Sequence, residues 1–205
     1  MAATSTRAKN TISLKGSSAI VAEYFNYAVN NILYQRGIYP TDSFRQEQHY
    51  GLSMMVSKDQ GLTAYLQTVT KQMSTWLEDG SLQRLVLVIS SAIGSKEVLE
   101  RWTFVVETDK AVLDGGPPPE VPKESIVKDI QAVVRQITAS VTFLPLLEDP
   151  CTFDLLVYTS KDSAVPTDWE ESDPRYISQG EDMKLRSFTT KVHKVDTSVS
   201  FRTRE

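Results

Sequence analysis

The sequence predicts an α+β fold, with three helices packed on one face of a mainly antiparallel sheet. Two patterns carry this. Three segments place apolar residues at three- and four-residue steps, and the β-type runs between them include two that are separated only by a turn. A third observation concerns the end of the sequence. There "LRSFTTKVHKVDTSVSFRTRE" alternates like a strand almost to its last residue.

The elements follow in order. Residues 1–11 are small and polar and read as a flexible N-terminal arm. From Ser18 to Arg36, adjacent apolar pairs recur every four residues, from Ile20–Val21 to Ile32–Leu33. That wide stripe suits a helix laid deeply on a sheet. Gly37 and Pro40 stop it. "YGLSMMVS" reads as a short strand and Asp59–Leu77 as a second helix, in which Trp76 is core packing. "LQRLVLVIS", apolar on both faces, reads as a buried central strand and forms a hairpin with "VLERWTFVVET", whose core face Glu100 interrupts. "DGGPPPEVP" is a loop within one core. The third helix is expected over Glu124–Leu144, terminated by Pro145, and "CTFDLLVYT" is the next strand.

Composition excludes several classes of function. The 205 residues suit one large domain, and a net charge of −4 argues against general nucleic-acid binding. No apolar run is long enough to span a membrane, and the first residues lack the apolar core of a secretory signal. One cysteine forbids an internal disulfide and fits a reducing compartment. Two histidines and one cysteine make a His/Cys metal site improbable, and no nucleotide-binding, zinc-protease or nucleophile-elbow motif is present. No metal, cofactor or catalytic residue is therefore expected. A Cys151–His193 dyad is conceivable, but an inert strand cysteine explains Cys151 more simply. The composition favours a binding protein over an enzyme.

Three features do not read as plain core. Phe143 lies off the apolar stripe of its helix, as does Arg135, so Phe143 is either an exposed contact or tucked under the following "LPLLE" turn. Residues 160–182 hold seven acidic residues against two basic ones, yet carry Trp169, Tyr176 and Ile177. Such a loop either docks onto something or is a linker. Residues 183–205 are the reverse, with six basic residues and two acidic ones. Alternation there slips by one: Phe188 and Val192 share one parity, while Val195, Val199 and Phe201 share the other. A slip of this kind means a bulged strand or two short strands joined near "HKVD".

The blocks "NNILYQRGIYP", "VLERWTF", "RQITASVTFLPLLE", "TFDLLVYT", "WEESDPRYI" and "LRSFTTKVHKV" resemble, in the same order, the spindle-checkpoint branch of the HORMA-domain family, from about Ile12 to Val195. The resemblance implies a HORMA core over 12–159 and a mobile C-terminal "safety belt" over 160–205. In an open state the belt's hairpin covers the edge strand "TFDLLVYT". In a closed state it pairs beside "VLERWTFVVET", and the vacated edge takes up a partner's peptide strand under the belt. The peptide-binding residues implied are Phe153, Leu155, Val157, Tyr158, Trp169 and Tyr176. Those of a self-association or regulator interface are Arg135, Gln136, Phe143, Arg186 and Phe188. Val192, His193, Val195, Val199 and Phe201 belong to the switch segment.

Five partners are implied: a checkpoint scaffold protein at kinetochores, the β-propeller activator of the anaphase-promoting complex, the mitotic checkpoint complex, a second copy in an open–closed dimer, and a HORMA-like silencing partner. The location implied is nucleus, cytoplasm and, in mitosis, kinetochore. The alternative is a HORMA adaptor of a translesion polymerase or of the meiotic chromosome axis.

Overall fold

In the computed structural model, residues 11–203 are described, and the expectation of a flexible arm falls almost wholly outside them. Helix α1 spans Leu14–Gln35 and begins four residues earlier than its apolar stripe suggested. The Ser13 hydroxyl caps it by accepting from the Gly16 amide at 3.1 Å. Helix α2 covers Gln60–Glu78, capped by Asp59, whose carboxylate accepts from the Leu62 amide at 2.7 Å. Helix α4 covers Lys123–Ser140, preceded by a single turn, α3, at Lys110–Leu113. The stripe of α4 runs on to Leu144, but the helix does not. Beyond Ser140 the Thr142 and Phe143 amides bond three residues back, to Ala139 and Ser140, which tightens the chain out of α geometry before Pro145.

The main sheet has the strand order β5-β3-β4-β7-β6, with every neighbouring pair antiparallel. Its strands are β3 (Leu82–Ser91), β4 (Val98–Thr108), β5 (Cys151–Thr159), β6 (Gly180–Thr189) and β7 (His193–Arg202). A separate hairpin joins β1 (Phe44–His49) to β2 (Leu52–Ser57) through Tyr50 and Gly51, both at positive φ as its tight turn requires. Strand β1, "FRQEQH", was not foreseen, because it is mostly polar and only Phe44 is buried.

The core lies between the helices and one face of the sheet. Leu85, Leu87 and Ile89 of β3, Trp102 and Phe104 of β4, and Val195 and Val199 of β7 meet Val21, Tyr24, Phe25 and Val29 of α1. Tyr24 packs edge-on against Phe104 and Phe188, at 6.1 and 4.7 Å between ring centroids. Glu100, the interruption in the core face of β4, is fully buried and satisfied. It accepts from Arg36 Nε at 2.9 and 3.1 Å and from Trp102 Nε1 at 3.0 Å, and Arg36 Nη2 bonds both Glu100 and, at 2.6 Å, the Pro145 carbonyl. One ion pair thus ties the end of α1 to β4 and to the loop that leads into β5.

The C-terminal pattern resolves into two strands, each of ten residues rather than short, joined just before His193. The parity slip is the turn between them, where Val192 is buried.

Candidate functional site

Strand β5 forms one edge of the sheet and pairs only with β3 among the described residues. The other edge, β6, carries Lys184 and Arg186, both exposed, and a bulge between Lys184 and Ser187. Charges and bulges blunt an edge against unwanted pairing, which accounts for part of the basic character of the C-terminal segment. Strand β5 is less guarded: the irregularity in its pairing lies on β3, between Leu82 and Arg84, at the far end of the strand. Its sequence, "CTFDLLVYT", carries one charge, Asp154.

Residues 160–179, without regular structure, join β5 to β6 and arch over this less guarded edge. The near end of the arch is pinned to α2. Trp76 Nε1 donates to the Ala164 carbonyl at 3.1 Å, and Trp169 stands edge-on to Trp76 at 5.0 Å. Between arch and strand lie two adjoining clefts of about 720 and 490 Å³. Leu155, Leu156, Trp169, Glu170 and Ser172 line both. Val157, Tyr158 and Trp76 extend one of them, and Tyr65, Asp154 and Arg175 the other. A cleft of similar size between Glu97, Leu146 and Arg202 lies where β4 is already paired on both sides, so it offers no free strand edge.

Of the residues expected to hold a peptide, Leu155, Val157, Tyr158 and Trp169 line this channel. Phe153 stands just beside it, with its ring 6.2 Å from those of Tyr39 and Tyr65. Tyr176 does not belong to the channel. It lies over the Arg101 guanidinium at 4.7 Å, because the far end of the arch has crossed onto the sheet face opposite the helices. Trp76, read from sequence as core alone, is also the post on which the arch rests; its burial at 2% exposure concealed that second role.

The residues of the expected interface divide. Phe143 is 74% exposed and Arg135 is exposed, so Phe143 is not covered by the turn that follows it. Gln136 joins α4 to β6 by accepting from the Arg186 amide at 2.6 Å. Phe188 is a correction. At 2% exposure against Tyr24 it is a core residue and offers no surface contact here, since the helices cover that end of β6.

All five residues of the expected switch segment are buried. His193 Nδ1 is 2.6 Å from the Ser17 hydroxyl, and Nε2 is 3.1 Å from the Leu77 carbonyl. A carbonyl only accepts, so Nε2 carries the proton and Ser17 donates to Nδ1. Thr190 completes the network 2.5 Å from Ser17. Burial pushes the His193 pKa below its ordinary value, partly offset by the bond to Leu77. The neutral imidazole thus pins the β6–β7 turn to α1 and α2.

The conceivable Cys151–His193 dyad is not assembled. β5 and β7 are three strand spacings apart, roughly 14 Å. Burial also pushes the Cys151 thiol pKa up, the wrong direction for a nucleophile.

An edge strand enclosed by a covalent arch, with a hairpin docked beyond β4, is the architecture of a peptide-clasping module. Residues 17–193 match the HORMA domain, and the chain belongs to that family. It is 56% identical to the mitotic spindle assembly checkpoint protein MAD2A of Dictyostelium discoideum over 194 residues, 95% of each chain. Identity to the protein of the same name from Homo sapiens is 52% over 191 residues, 93% of each. Among solved structures, a chain in the crystal structure of the mitotic checkpoint complex superposes with a TM-score of 0.82 at 47% identity, covering 92% of this chain and 100% of that one.

Proposed function

We propose that the protein is a spindle-assembly checkpoint adaptor that takes up a partner's peptide as an added strand on β5 and encloses it under residues 160–179. The observation that carries this reading is the less guarded edge of β5 beneath the arch, with β7 paired to β4 over the full strand, from Glu100↔Phe201 to Thr108↔His193. That pairing is the one implied for the closed state of the family.

Magnitudes explain why an arch is needed. A peptide along nine residues of β5 gains about eight to ten backbone hydrogen bonds at ~1 kcal/mol net each, and an association cost of about 4–15 kcal/mol offsets most or all of that gain. Strand addition alone is weak and indifferent to side chains. Enclosure adds contacts with Trp169, Glu170 and Ser172 of the arch, and it makes escape require local opening, so it acts mainly on dissociation.

In this reading residues 12–159 are the fixed core and 160–205 the segment that relocates. The peptides come from the kinetochore scaffold protein and from the β-propeller activator of the anaphase-promoting complex, within the mitotic checkpoint complex. Arg135, Gln136, Phe143 and Arg186 form the face for a second copy or for a HORMA-like silencing partner. The protein works as an adaptor rather than an enzyme, in nucleus and cytoplasm and at kinetochores in mitosis. The high identity to two checkpoint proteins favours this role over the polymerase or meiotic-axis alternative.

The test is to cut the arch. A protease site inserted between Asp173 and Pro174, both exposed and outside the lining of either cleft, leaves the channel wall intact. A peptide bound before cleavage should leave slowly from the uncut protein and quickly once the arch is nicked. Equal release rates before and after cleavage would show that the arch does not enclose the peptide.

A further inference from the structure

Beyond Trp169 the arch leaves the edge of β5 and fastens onto the outer sheet face. Arg175 Nη1 pairs with the Asp154 carboxylate of β5, and Nη2 donates to the Ser90 hydroxyl of β3 at 3.0 Å. The next residue, Tyr176, lies over Arg101 of β4. These anchors are in line. Val88 of β3 stands directly opposite Asp154 on one side and Arg101 on the other, so the three share one face. It is the face opposite the core, because Leu87 and Ile89, the neighbours of Val88, point into the core. Two consecutive arch residues therefore grip three consecutive strands.

The grip is tighter than its exposure suggests. Arg101 is 8% exposed, its Nε finds no hydrogen-bond partner among the described residues, and its guanidinium lies against the Tyr176 ring. Arg175 and Gln179 both hold positive φ, at 49° and 62°. Non-glycine residues seldom adopt that conformation unless their surroundings hold them there. At Gly180, where the arch turns into β6, an added Cβ would meet Ile177 at 2.9 Å and the Phe201 carbonyl at 3.0 Å, so only glycine fits. The far end is thus a turn with two residues at positive φ, held by Arg175 and by Tyr176, whose ring covers Arg101 while staying 67% exposed to solvent.

Asp154 and Arg175 also line the smaller cleft. The pair therefore spans the channel at the end next to the contact of Tyr176 with Arg101. We propose that Arg175 and Tyr176 form a buckle that fastens the far end of the arch across β5, β3 and β4 and sets the rate at which an enclosed peptide leaves. Both are positioning residues, and the inference rests on the peptide-clasping reading above.

The experiment uses the full chain and, as probe, a fluorescent linear peptide selected by phage display on the wild-type protein. Dissociation is followed after addition of excess unlabelled peptide, and amide exchange of residues 163–179 is measured in the free protein. Arg175→Gln combined with Tyr176→Ala should speed release about tenfold, as expected when one charge-assisted and one cation–π contact are lost together. Association and the unfolding midpoint should stay near wild type, which a merely structural role would not produce. Asp154→Asn added to Arg175→Gln should speed release no further, because the two act as one contact. Asp173→Asn, at an exposed arch position, is the control. If the wild-type protein retains peptide and the double variant releases it equally slowly, the buckle is refuted while the clasping reading stands. If no linear peptide is retained even by wild type, the clasping reading fails. Amide exchange then decides the buckle alone: faster exchange of the arch in the double variant supports it, and unchanged exchange overturns it.

Discussion

Replacing Arg36 by Met should cost far more than an ordinary charge substitution. The Arg36 and Glu100 side chains are 4% and 2% exposed, so each is the principal solvent of the other. Without Arg36, Glu100 keeps only the Trp102 indole as a donor among the described residues, and the Pro145 carbonyl loses the guanidinium. Breaking one side of a buried pair costs about 3–5 kcal/mol, a large share of a typical stability of about 5–15 kcal/mol. For a chain of this size that is roughly 6–20 °C in Tm. Glu100→Leu should cost a similar amount, because it strands a buried guanidinium.

The double variant is the informative one. With both charges gone, what remains is the unpartnered Trp102 N–H and Pro145 carbonyl, at about 1–3 kcal/mol each when buried. Arg36→Met with Glu100→Leu should therefore lose much less than the sum of the two single losses. Urea unfolding of the four proteins, with midpoints and slopes compared, measures the cycle. A single-variant loss below about 1 kcal/mol, the range of an exposed pair, would refute the reasoning. Strictly additive losses would refute it equally.

Further outcomes are expected. The depressed His193 pKa makes stability pH-dependent with a definite sign. Above the ordinary value of 6.5 both folded and unfolded chains hold a neutral imidazole and the full stability is present; as pH falls from 6.5 through the lower folded value, the unfolded chain takes up the proton first and stability is lost. Urea titrations at several pH values should show this extra acid loss in wild type and not in His193→Gln. Arg135→Ala and Phe143→Ala should weaken self-association in sedimentation equilibrium while moving Tm little, since neither side chain is buried; a large Tm loss with association intact would contradict the surface role. The Cys151 thiol, its pKa raised chiefly by burial, should react with a maleimide more slowly than a free thiol at neutral pH, and faster labelling would reopen a catalytic role.

What was legible in the sequence was whatever follows a period. The paired apolar residues of α1, the unbroken apolar run of β3 and the parity slip at the β6–β7 turn each encode their own element, though α1 begins four residues earlier than read and the turn lies just before "HKVD" between two full-length strands. Polar partnerships across long separations were not legible. Glu100 stood out as an oddity, but Arg36 lies 64 residues away and is found only once α1 crosses the sheet. The same holds for Ser17 and His193, 176 residues apart. Strand β1 was missed because all its residues but Phe44 are polar, so no apolar alternation marks the side on which Glu47 and His49 meet Tyr27 of α1. Phe188 and Tyr176 were assigned to the wrong surroundings for one reason: which face of the sheet a residue meets depends on how the arch and hairpin are laid, and no local pattern carries that. Trp169 was legible as an aromatic in an acidic loop, but not the Trp76 ring it rests on.

The central claim is that the free edge of β5 takes up a strand beneath the arch. Residue-resolved amide exchange of the full chain, with and without a peptide selected for binding to it, tests this directly. Alternate amides of β5, those not bonded to β3, should become protected on binding, together with amides of residues 163–179, while the outer edge of β6 stays unchanged. Protection appearing on β6 or on α4, with β5 unaffected, would contradict the account.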